Sequence, residues 1–322
     1  MRRLTTWLAL CAGLVTAAGC GGGDAQQPRT PAGKWTTLRP ASLERTEVAA
    51  ARVGRFIYVA GGFEPSGGTT AAVERYDIER NRWTRVADLP VALNHAAAVA
   101  YRGRVYVLGG YSSRVGLNDA VAALYRYEAR RDRWQALTPA PTARGALAVG
   151  VIGRRLYAAG GANDGGALKT LEIYDFARRR WRTGPDMSTA REHLAGAVAG
   201  GRFYALAGRA AGRGNFRTVE AYDPKARRWR DVRPMRKPRG GIGAAAVRGG
   251  RIGVVGGEES AGTIREVEIY NPRTRRWRRL PDLPTPRHGL GVVARGNSVY
   301  VAEGGDRPGY TFTRVLEALE VP

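Results

Sequence analysis

The chain has few cysteine, histidine and lysine residues, which limits the kinds of catalytic and binding site that it can contain. Its 322 residues include two cysteines, Cys11 and Cys20, both near the N-terminus, so disulfides and thiol catalysis are not expected further along. Only three histidines are present, His95, His193 and His288. After the N-terminus no run of 18 or more apolar residues occurs, so no transmembrane helix is predicted there.

Basic residues outnumber acidic residues by 52 to 28, for a net charge of +24, and only four of the basic residues are lysine. An arginine excess accompanied by much alanine and glycine indicates a GC-rich genome as well as selection. The sequence has no helical basic stripe and no zinc-finger spacing, so we predict no nucleic-acid partner. The 44 glycines and 17 prolines indicate many tight turns.

The N-terminus, MRRLTTWLALCAGLVTAAGC, places two arginines before a short apolar run and a group of small residues. This order is typical of a secretory signal. Its last four residues resemble the lipobox of bacterial lipoproteins, which implies cleavage before a lipidated Cys20. We therefore expect a signal peptide over 1–19, a lipidated cysteine and flexible tether over 20–33, and an exported protein anchored by lipid to a bacterial membrane, outside the cytoplasm. Ordinary secretion with an unmodified cysteine is the alternative.

A repeat of about 48 residues fills the remaining sequence. Tryptophan recurs at positions 35, 83, 134, 181, 229 and 277. Five copies of an eight-residue stretch, the first being YDIERNRW, each join a tyrosine to one of these tryptophans. Glycine pairs recur in step, each after a β-rich run such as RVYVLGG. The pattern therefore predicts four short strands in each unit, with the tyrosine and tryptophan as packing residues.

The double glycine with spaced tyrosine and tryptophan resembles the kelch repeat over residues 34–322. The resemblance implies an all-β fold, a six-bladed β-propeller. The first tryptophan has no glycine pair before it and the last unit has no tryptophan. We therefore expect residues 34–38 to supply the outer strand of the C-terminal blade and close the ring.

With strands named a to d from the channel outward, the a–b and c–d turns lie on one face of the propeller. The residue before every tryptophan is basic and belongs to a c–d turn. This arginine belt consists of Arg82, Arg133, Arg180, Arg228 and Arg276, with Lys34 in the same position. It lies on the side where the tether enters, so it could seat the protein on anionic lipid or wall polymer. Alternatively, the belt only protects the outer edge strands from pairing.

The opposite face carries the b–c and d–a loops, which form the usual binding surface of kelch propellers. Ten residues after the tryptophans stand five arginines and one leucine: Arg45, Leu93, Arg144, Arg191, Arg239 and Arg287. These arginines could line a funnel that binds a carboxylate or another anion. The alternative is that they bond loop carbonyls between neighbouring blades. Residues after the glycine pairs differ between blades and should line the same mouth: Phe63, Glu64, Tyr111, Asn163, Arg209, Glu258, Glu259 and Asp306.

The histidines stand near the start of strand a in the second, fourth and sixth blades. His95 and His193 precede the aligned Tyr106 and Tyr204 by eleven residues, whereas His288 precedes Tyr300 by twelve. A one-residue shift turns a strand side chain to the other face. We therefore place His95 and His193 in the ligand-binding mouth but predict no metal site and no cofactor.

The preferred function is a non-catalytic propeller that binds a protein, peptide, glycan or anionic polymer through the b–c/d–a face. The first alternative is an enzyme resembling bacterial sialic acid mutarotases, acting on an acidic sugar through residues such as Arg191, Glu192, His193 and Glu258. Copper chemistry of the galactose-oxidase kind would need a cysteine that the repeat region lacks. The second alternative is a scaffold that contacts anionic surfaces through the belt. Glu303 replaces the first glycine of the last aligned pair and must be strained, ion-paired or functional.

Overall fold

The computed structural model describes residues 33–322, and every regular element in that range is a β-strand. No helix in this part of the chain is long and apolar enough to cross a membrane. The predicted signal peptide, Cys20 and all but the last residue of the predicted tether fall outside the described residues. The strands form six antiparallel sheets of four main strands each, so the predicted six-bladed all-β propeller is confirmed.

The first five blades are continuous in the sequence, and their strands a to d are given in that order. Blade 1 consists of Ala49–Val53, Phe56–Ala60, Val73–Asp77 and Arg82–Val86. Blade 2 consists of Ala97–Tyr101, Arg104–Leu108, Leu124–Glu128 and Arg133–Leu137. Blade 3 consists of Ala148–Ile152, Arg155–Ala159, Leu171–Asp175 and Arg180–Thr183. Blade 4 consists of Ala195–Ala199, Arg202–Leu206, Val219–Asp223 and Arg228–Asp231. Blade 5 consists of Gly240–Val247, Arg251–Glu259, Val267–Asn271 and Arg276–Leu280.

Blade 6 combines both ends of the described chain. Its inner strands are Gly291–Arg295, Ser298–Gly304 and Thr313–Glu320, and Lys34–Leu38 is its outermost strand. Lys34 lies opposite Glu320 and Leu38 opposite Leu316 in an antiparallel pairing. Short two-residue strands also occur in four b–c loops: Phe63–Glu64, Gly68–Thr69, Ala162–Asn163, Gly166–Ala167, Arg209–Ala210, Gly214–Asn215 and Gly262–Thr263.

The repeated tryptophans join each blade to its neighbour. Each indole Nε1 donates to a backbone carbonyl of the preceding blade, for example Trp229 to Pro185 at 2.8 Å and Trp181 to Thr138 at 2.9 Å. In the first five blades the tryptophan ring also packs on the tyrosine of strand c at 4.9 to 5.3 Å between centroids. A 48-residue unit cannot bury its own faces, so this contact between blades is what stabilises the repeat.

The inner strands are rich in alanine and glycine, as in AAARV, AGAVA and GGIGAAAV. Six strands converge around one axis, and only small side chains fit where neighbouring inner strands meet. The channel that remains has a volume of about 150 Å³ and is lined largely by these residues. Polar chemistry is therefore confined to the ends of the strands.

Candidate functional site

The five predicted funnel arginines are buried inside the blades, with 0 to 1% of each residue exposed. Each guanidinium pairs with a glutamate on strand c of its own blade, at 2.7 to 3.2 Å. The pairs are Arg45–Glu74, Arg144–Glu172, Arg191–Glu220, Arg239–Glu268 and Arg287–Glu317. Each arginine also donates to backbone carbonyls near the end of strand b or the start of strand c, as Arg191 does to Ala205 and Thr218.

This burial corrects the prediction that these arginines form an anion-binding funnel. Because these side chains have almost no exposed surface and their charges are paired inside the blade, they cannot contact a ligand at the mouth. The alternative was that these arginines bond loop carbonyls between neighbouring blades. They do bond carbonyls, but the carbonyls belong to each arginine's own blade. The backbone also joins neighbouring blades: the second glycine of a pair, such as Gly110 with φ +103°, donates to the carbonyl of Arg144 in the next blade at 2.9 Å. Glycine suits this left-handed position because it has no Cβ.

In blade 2, two uncharged residues occupy the positions of the buried arginine–glutamate pair. Leu93 replaces the arginine, and Tyr125 stands at the strand-c position that glutamate occupies in the other five blades. Both side chains are buried in one apolar cluster. The arginine and glutamate therefore change together, as expected of a pair whose members cannot be left buried alone.

One residue of each blade forms a ring where strand a begins at the mouth of the channel. The six ring positions all have positive φ, between +50° and +66°: Glu47, His95, Ala146, His193, Gly241 and Gly289. Around most of the ring, each N–H donates to the carbonyl of the preceding position, as His95 does to Glu47 at 3.0 Å. Between Gly289 and the first blade, the donor is Val48 instead. The ring fixes the backbone of Glu47, His95 and His193 around one axis.

Three side chains of this ring meet over the channel. Nε2 of His95 lies 2.9 Å from Nε2 of His193 and 3.1 Å from Oε2 of Glu47. The donor atoms of all three side chains lie within 4.8 Å of one another, an arrangement that could hold a metal ion. The residues come from blades 1, 2 and 4, so only closure of the ring brings them together.

Four further charged or titratable side chains surround this trio. Nδ1 of His288 lies 3.2 Å from Glu47 and its Nε2 lies 3.0 Å from the carbonyl of Arg307. Arg209 donates to Glu192 at 3.0 Å and to Glu258 at 2.7 Å, and one of its nitrogens lies 3.1 Å from Nε2 of His193. We call Glu47, His95, His193, His288, Arg209, Glu192 and Glu258 the mouth cluster.

Burial and neighbouring charges set the protonation of the mouth cluster. Burial lowers the pKa of His95, and lowers that of His193 well below its ordinary value. Although burial alone would lower the pKa of His288, its hydrogen bond to Glu47 and the charge of that carboxylate raise it. Burial would raise the pKa of Glu47, but the surrounding histidines hold it well below its ordinary value. These pKa directions favour a Glu47–His288 ion pair beside two neutral imidazoles.

The mouth cluster forms the floor of a pocket of about 140 Å³, whose walls include Phe63, Leu117 and Tyr310. The long b–c loop of blade 2 reaches across the mouth to blade 6, where the N–H of Gly116 donates to the Tyr310 hydroxyl at 3.0 Å. The rings of Phe63 and Tyr310 meet edge to face at 5.1 Å. This cover is apolar at its outer surface, with 41% of Leu117, 55% of Val115 and 58% of Tyr310 exposed.

The other predicted mouth residues lie at different depths. Tyr111 is fully buried, its hydroxyl donates to Ala162 at 3.0 Å, and burial raises its pKa to about 12. It supports the cluster from below and is not a contact residue. Asn163 is partly buried, and its amide donates to the carbonyl of Ala143 and accepts from the N–H of Gly165. Asp306 is exposed at the rim.

A second depression on the same face lies between the b–c loops of blades 4, 5 and 6. It has a volume of about 470 Å³, and its walls include Arg209, Asn215, Glu258, Glu259 and Pro308. We call it the side groove. It shares Arg209 and Glu258 with the mouth cluster, so the two sites are continuous.

On the opposite face, the predicted belt residues are exposed at the start of each strand d: Lys34, Arg82, Arg133, Arg180, Arg228 and Arg276. An acidic or amide residue at the end of each strand c lies across from them, as Asp175 lies opposite Arg180. In blades 1 and 3 to 5 that residue accepts bonds from backbone N–H groups of the turn, as Asp223 does from Lys225 and Ala226. The belt is therefore available on the surface.

Glu303 is ion-paired, one of the alternatives that the sequence left open. It is completely buried, has φ +56°, and receives Nε and a terminal nitrogen of Arg45 at 2.8 and 2.9 Å. The glycine that follows, Gly304, has φ +101° and donates to the carbonyl of Arg45, so the aligned pair of blade 6 is Glu303–Gly304.

Sequence reasoning brought His95, His193, Arg209 and Glu258 to the mouth but missed Glu47. The signal was present, because Glu47 precedes Tyr58 by the same eleven residues that separate His95 from Tyr106. The one-residue difference in spacing correctly separated His288 from the positions of His95 and His193, since His288 lies one residue before the ring position of its blade. It did not anticipate that a side chain from that position reaches Glu47.

Comparison with known proteins agrees with this architecture. The sequence model of the KLHDC2/KLHL20/DRC7 Kelch-repeats domain matches residues 47–238 and 124–305, which together span most of the chain. The chain belongs to the kelch-repeat family.

Several curated relatives share this repeat. "Kelch-like protein terF" of Aspergillus terreus is 35% identical over 160 residues, which are 46% of this chain and 35% of that protein. "Kelch-like protein 34" of Homo sapiens is 36% identical over 112 residues, 34% of this chain and 17% of that protein. "Beta-scruin" of Limulus polyphemus is 33% identical over 134 residues, 40% of this chain and 14% of that protein. The matched segments thus cover about a third or less of the length of each relative.

Proposed function

We propose that this kelch propeller is a non-catalytic binding protein that holds a protein or peptide across its b–c/d–a face. One observation carries the proposal. Among residues 33–322, all four exposed large hydrophobic side chains lie in loops of this face: Val91, Val115, Leu117 and Tyr310. Exposed apolar groups clustered beside polar ones are a common feature of protein interaction sites.

The chemistry of the face favours a polypeptide over a sugar or a polyanion. The side groove of about 470 Å³ lies beside the cover and presents both carboxylates and a guanidinium. Its Glu258 and Glu259 would repel a polyanion, whereas an extended peptide could place apolar side chains on Leu117 and Tyr310 and polar groups in the groove. Variable loops on a repeated framework commonly carry specificity.

Selection of a random peptide library on the wild-type protein tests this proposal. The selected peptides should bind Leu117→Ser/Tyr310→Ser at least about tenfold more weakly, because the double change removes apolar contact area at the centre of the site. Arg130→Ser, on the opposite face, is the control and should bind like wild type. Equal binding by the double variant would refute the proposed site.

The sugar-enzyme alternative receives no support from the mouth geometry. Arg191, its intended carboxylate ligand, is paired with Glu220 inside the blade. The pocket of about 140 Å³ above the mouth cluster is small beside the roughly 300–1,000 Å³ typical of small-molecule sites. Glu192 and Glu258 already share Arg209.

A second proposal concerns the arginine belt, which is exposed on one face. It would seat the propeller on anionic lipid or wall polymer, with each arginine adding about 1 kcal/mol near a charged surface. Binding to vesicles with and without phosphatidylserine measures this, and Arg180→Glu/Arg228→Glu should bind several-fold more weakly at low salt. If the charge-reversed protein binds as wild type does, the belt is not a membrane contact.

The export and anchoring proposal rests on Cys20 and the preceding small residues. Metabolic labelling with a clickable fatty acid in a bacterial host should label the wild-type chain and not Cys20→Ser. The labelled protein should fractionate with membranes. Label on both proteins, or on neither, would contradict lipidation at this cysteine.

A further inference from the structure

Both imidazoles of the mouth trio have an oxygen atom beside Nδ1. Nδ1 of His95 lies 2.6 Å from Oδ1 of Asn94, and the Asn94 amide is fixed because its Nδ2 donates to Thr69 at 2.8 Å. Nδ1 of His193 contacts a carboxylate oxygen of Glu192. The Asn94 oxygen accepts from Nδ1 of His95, and Arg209 donates to Nε2 of His193 at 3.1 Å, so Nε2 of each ring carries a lone pair when the ring is neutral.

Three electron-rich atoms therefore face one another. Nε2 of His95, Nε2 of His193 and Oε2 of Glu47 meet at separations of 2.9 and 3.1 Å along the two contacts of His95. Lone pairs at these distances repel one another in a buried site unless a cation lies among them. Neither His288 nor Arg209 serves all three atoms. The nitrogens of His288 face the other oxygen of Glu47 and the carbonyl of Arg307, and Arg209 reaches Nε2 of His193 alone among the three, at 3.1 Å.

We propose that Glu47, His95 and His193 bind a divalent transition-metal ion, with Zn²⁺ as the best match. Two imidazoles and one carboxylate form a common ligand set for Zn²⁺ sites that keep an open position. Tetrahedral bonds of about 2.0–2.1 Å place ligand atoms roughly 3.3 Å apart, close to the separations found here. Asn94 holds the far nitrogen of His95 in the way that outer-shell groups orient metal-bound histidines, and Glu192 lies beside the far nitrogen of His193.

Charge and access agree with a metal ion at this position. Three carboxylates of the mouth cluster, those of Glu47, Glu192 and Glu258, lie around the site, and Arg209 is the only guanidinium of the cluster. The trio separates the channel of about 150 Å³ from the mouth pocket of about 140 Å³, so open coordination positions would face both spaces. Arg209 is the competing cation, and its side chain is 31% exposed and can turn away.

Metal binding at this site is easy to distinguish from binding elsewhere, because the chain has only three histidines and its two cysteines are at positions 11 and 20. The untagged full chain, stripped with a chelator, would be titrated with Zn²⁺ against a chromophoric competitor. The expected result is saturable binding of one ion per chain. Co²⁺ should give visible absorption bands at the same stoichiometry.

Four variants and one control decide whether the ion binds at the trio. Glu47→Gln and His193→Gln should weaken Zn²⁺ binding at least about 100-fold, and Asn94→Ala about 10- to 100-fold. Arg209→Gln should tighten binding, because it removes the competing cation. Glu79→Gln, which alters an exposed carboxylate paired with Arg295 on the opposite face, should leave affinity unchanged.

Far-ultraviolet circular dichroism and Tm without metal would verify that each variant is folded. Absence of one-to-one binding by the wild type would overturn the proposal. So would Glu47→Gln and His193→Gln proteins that bind as tightly as wild type, since the ion would then lie elsewhere. Weaker binding by Arg209→Gln would show that the guanidinium is part of the site rather than its competitor.

Discussion

Replacing Arg191 by leucine should destabilise the propeller strongly. The guanidinium has no exposed surface and donates to Glu220 at 2.9 Å and to the carbonyls of Ala205 and Thr218 at 3.2 Å. Arg191→Leu would leave Glu220 buried with a single remaining bond, from the N–H of Ser188. Removing one member of a buried ion pair costs about 3–5 kcal/mol. Glu220→Tyr should cost a similar amount, because it leaves the arginine without its carboxylate.

The double variant Arg191→Leu/Glu220→Tyr should be more stable than either single variant. It reproduces in blade 4 the Leu93 and Tyr125 that blade 2 already contains. Independent losses would sum to about 6–10 kcal/mol. We expect the double variant to lose less than about 3 kcal/mol, because a buried apolar pair often replaces a buried ion pair at little cost. Arg191→Leu/Glu220→Gln separates loss of charge from the fit of the tyrosine ring.

Urea unfolding followed by tryptophan fluorescence measures these free energies, with the slope of each transition compared between variants. The reasoning is refuted if Arg191→Leu loses less than about 1 kcal/mol, or if the double variant loses the sum of the single losses. A stable Arg191→Leu protein that had lost affinity for an anion would restore the ligand-binding role predicted from the sequence.

Two further changes test single contacts. Tyr76→Phe should lower the free energy of unfolding by about 1 kcal/mol, because the Tyr76 hydroxyl donates to Asn81 at 2.7 Å. Tyr222→Phe should leave it almost unchanged, because that buried hydroxyl has no partner within residues 33–322. Equal losses of the two variants in urea unfolding would contradict this. For Glu303, burial raises the pKa to about 7 despite Arg45, above an ordinary value near 4.5. The folded protein then holds a proton that the unfolded chain releases, so the stability from this group is present below pH 4.5 and is lost as pH rises through 7. The stability of wild type relative to Glu303→Gln should therefore fall between pH 4.5 and 7.5, and a flat or rising difference would count against the pKa shift.

The sequence alone determined the blades. A blade is four strands joined by short turns, so its tyrosine, tryptophan and glycine pair fall at fixed spacings within about 48 residues. These residues recur because each unit makes the same contacts with its neighbour, such as the bond from Trp229 to Pro185. Repetition therefore made the fold, the blade number and the packing role of these aromatics readable without a structure.

Only the tertiary structure decided where the polar side chains of the strand-a region point. Arg191 and His193 are two residues apart, yet the arginine turns inward to Glu220 while the histidine reaches the channel axis. Spacing did not distinguish these directions, because both residues precede strand a and His193 has a positive φ. Solvent exposure of the arginines was therefore predicted wrongly.

The mouth cluster depends on closure of the ring. Glu47, His95 and His193 are separated by up to 146 positions in the sequence and lie on three different blades. Their side chains meet because six inner strands of small residues bring the strand ends close to one axis. The repeat determined that each blade would place a residue at this position, and the closed propeller determined that three of those residues would touch.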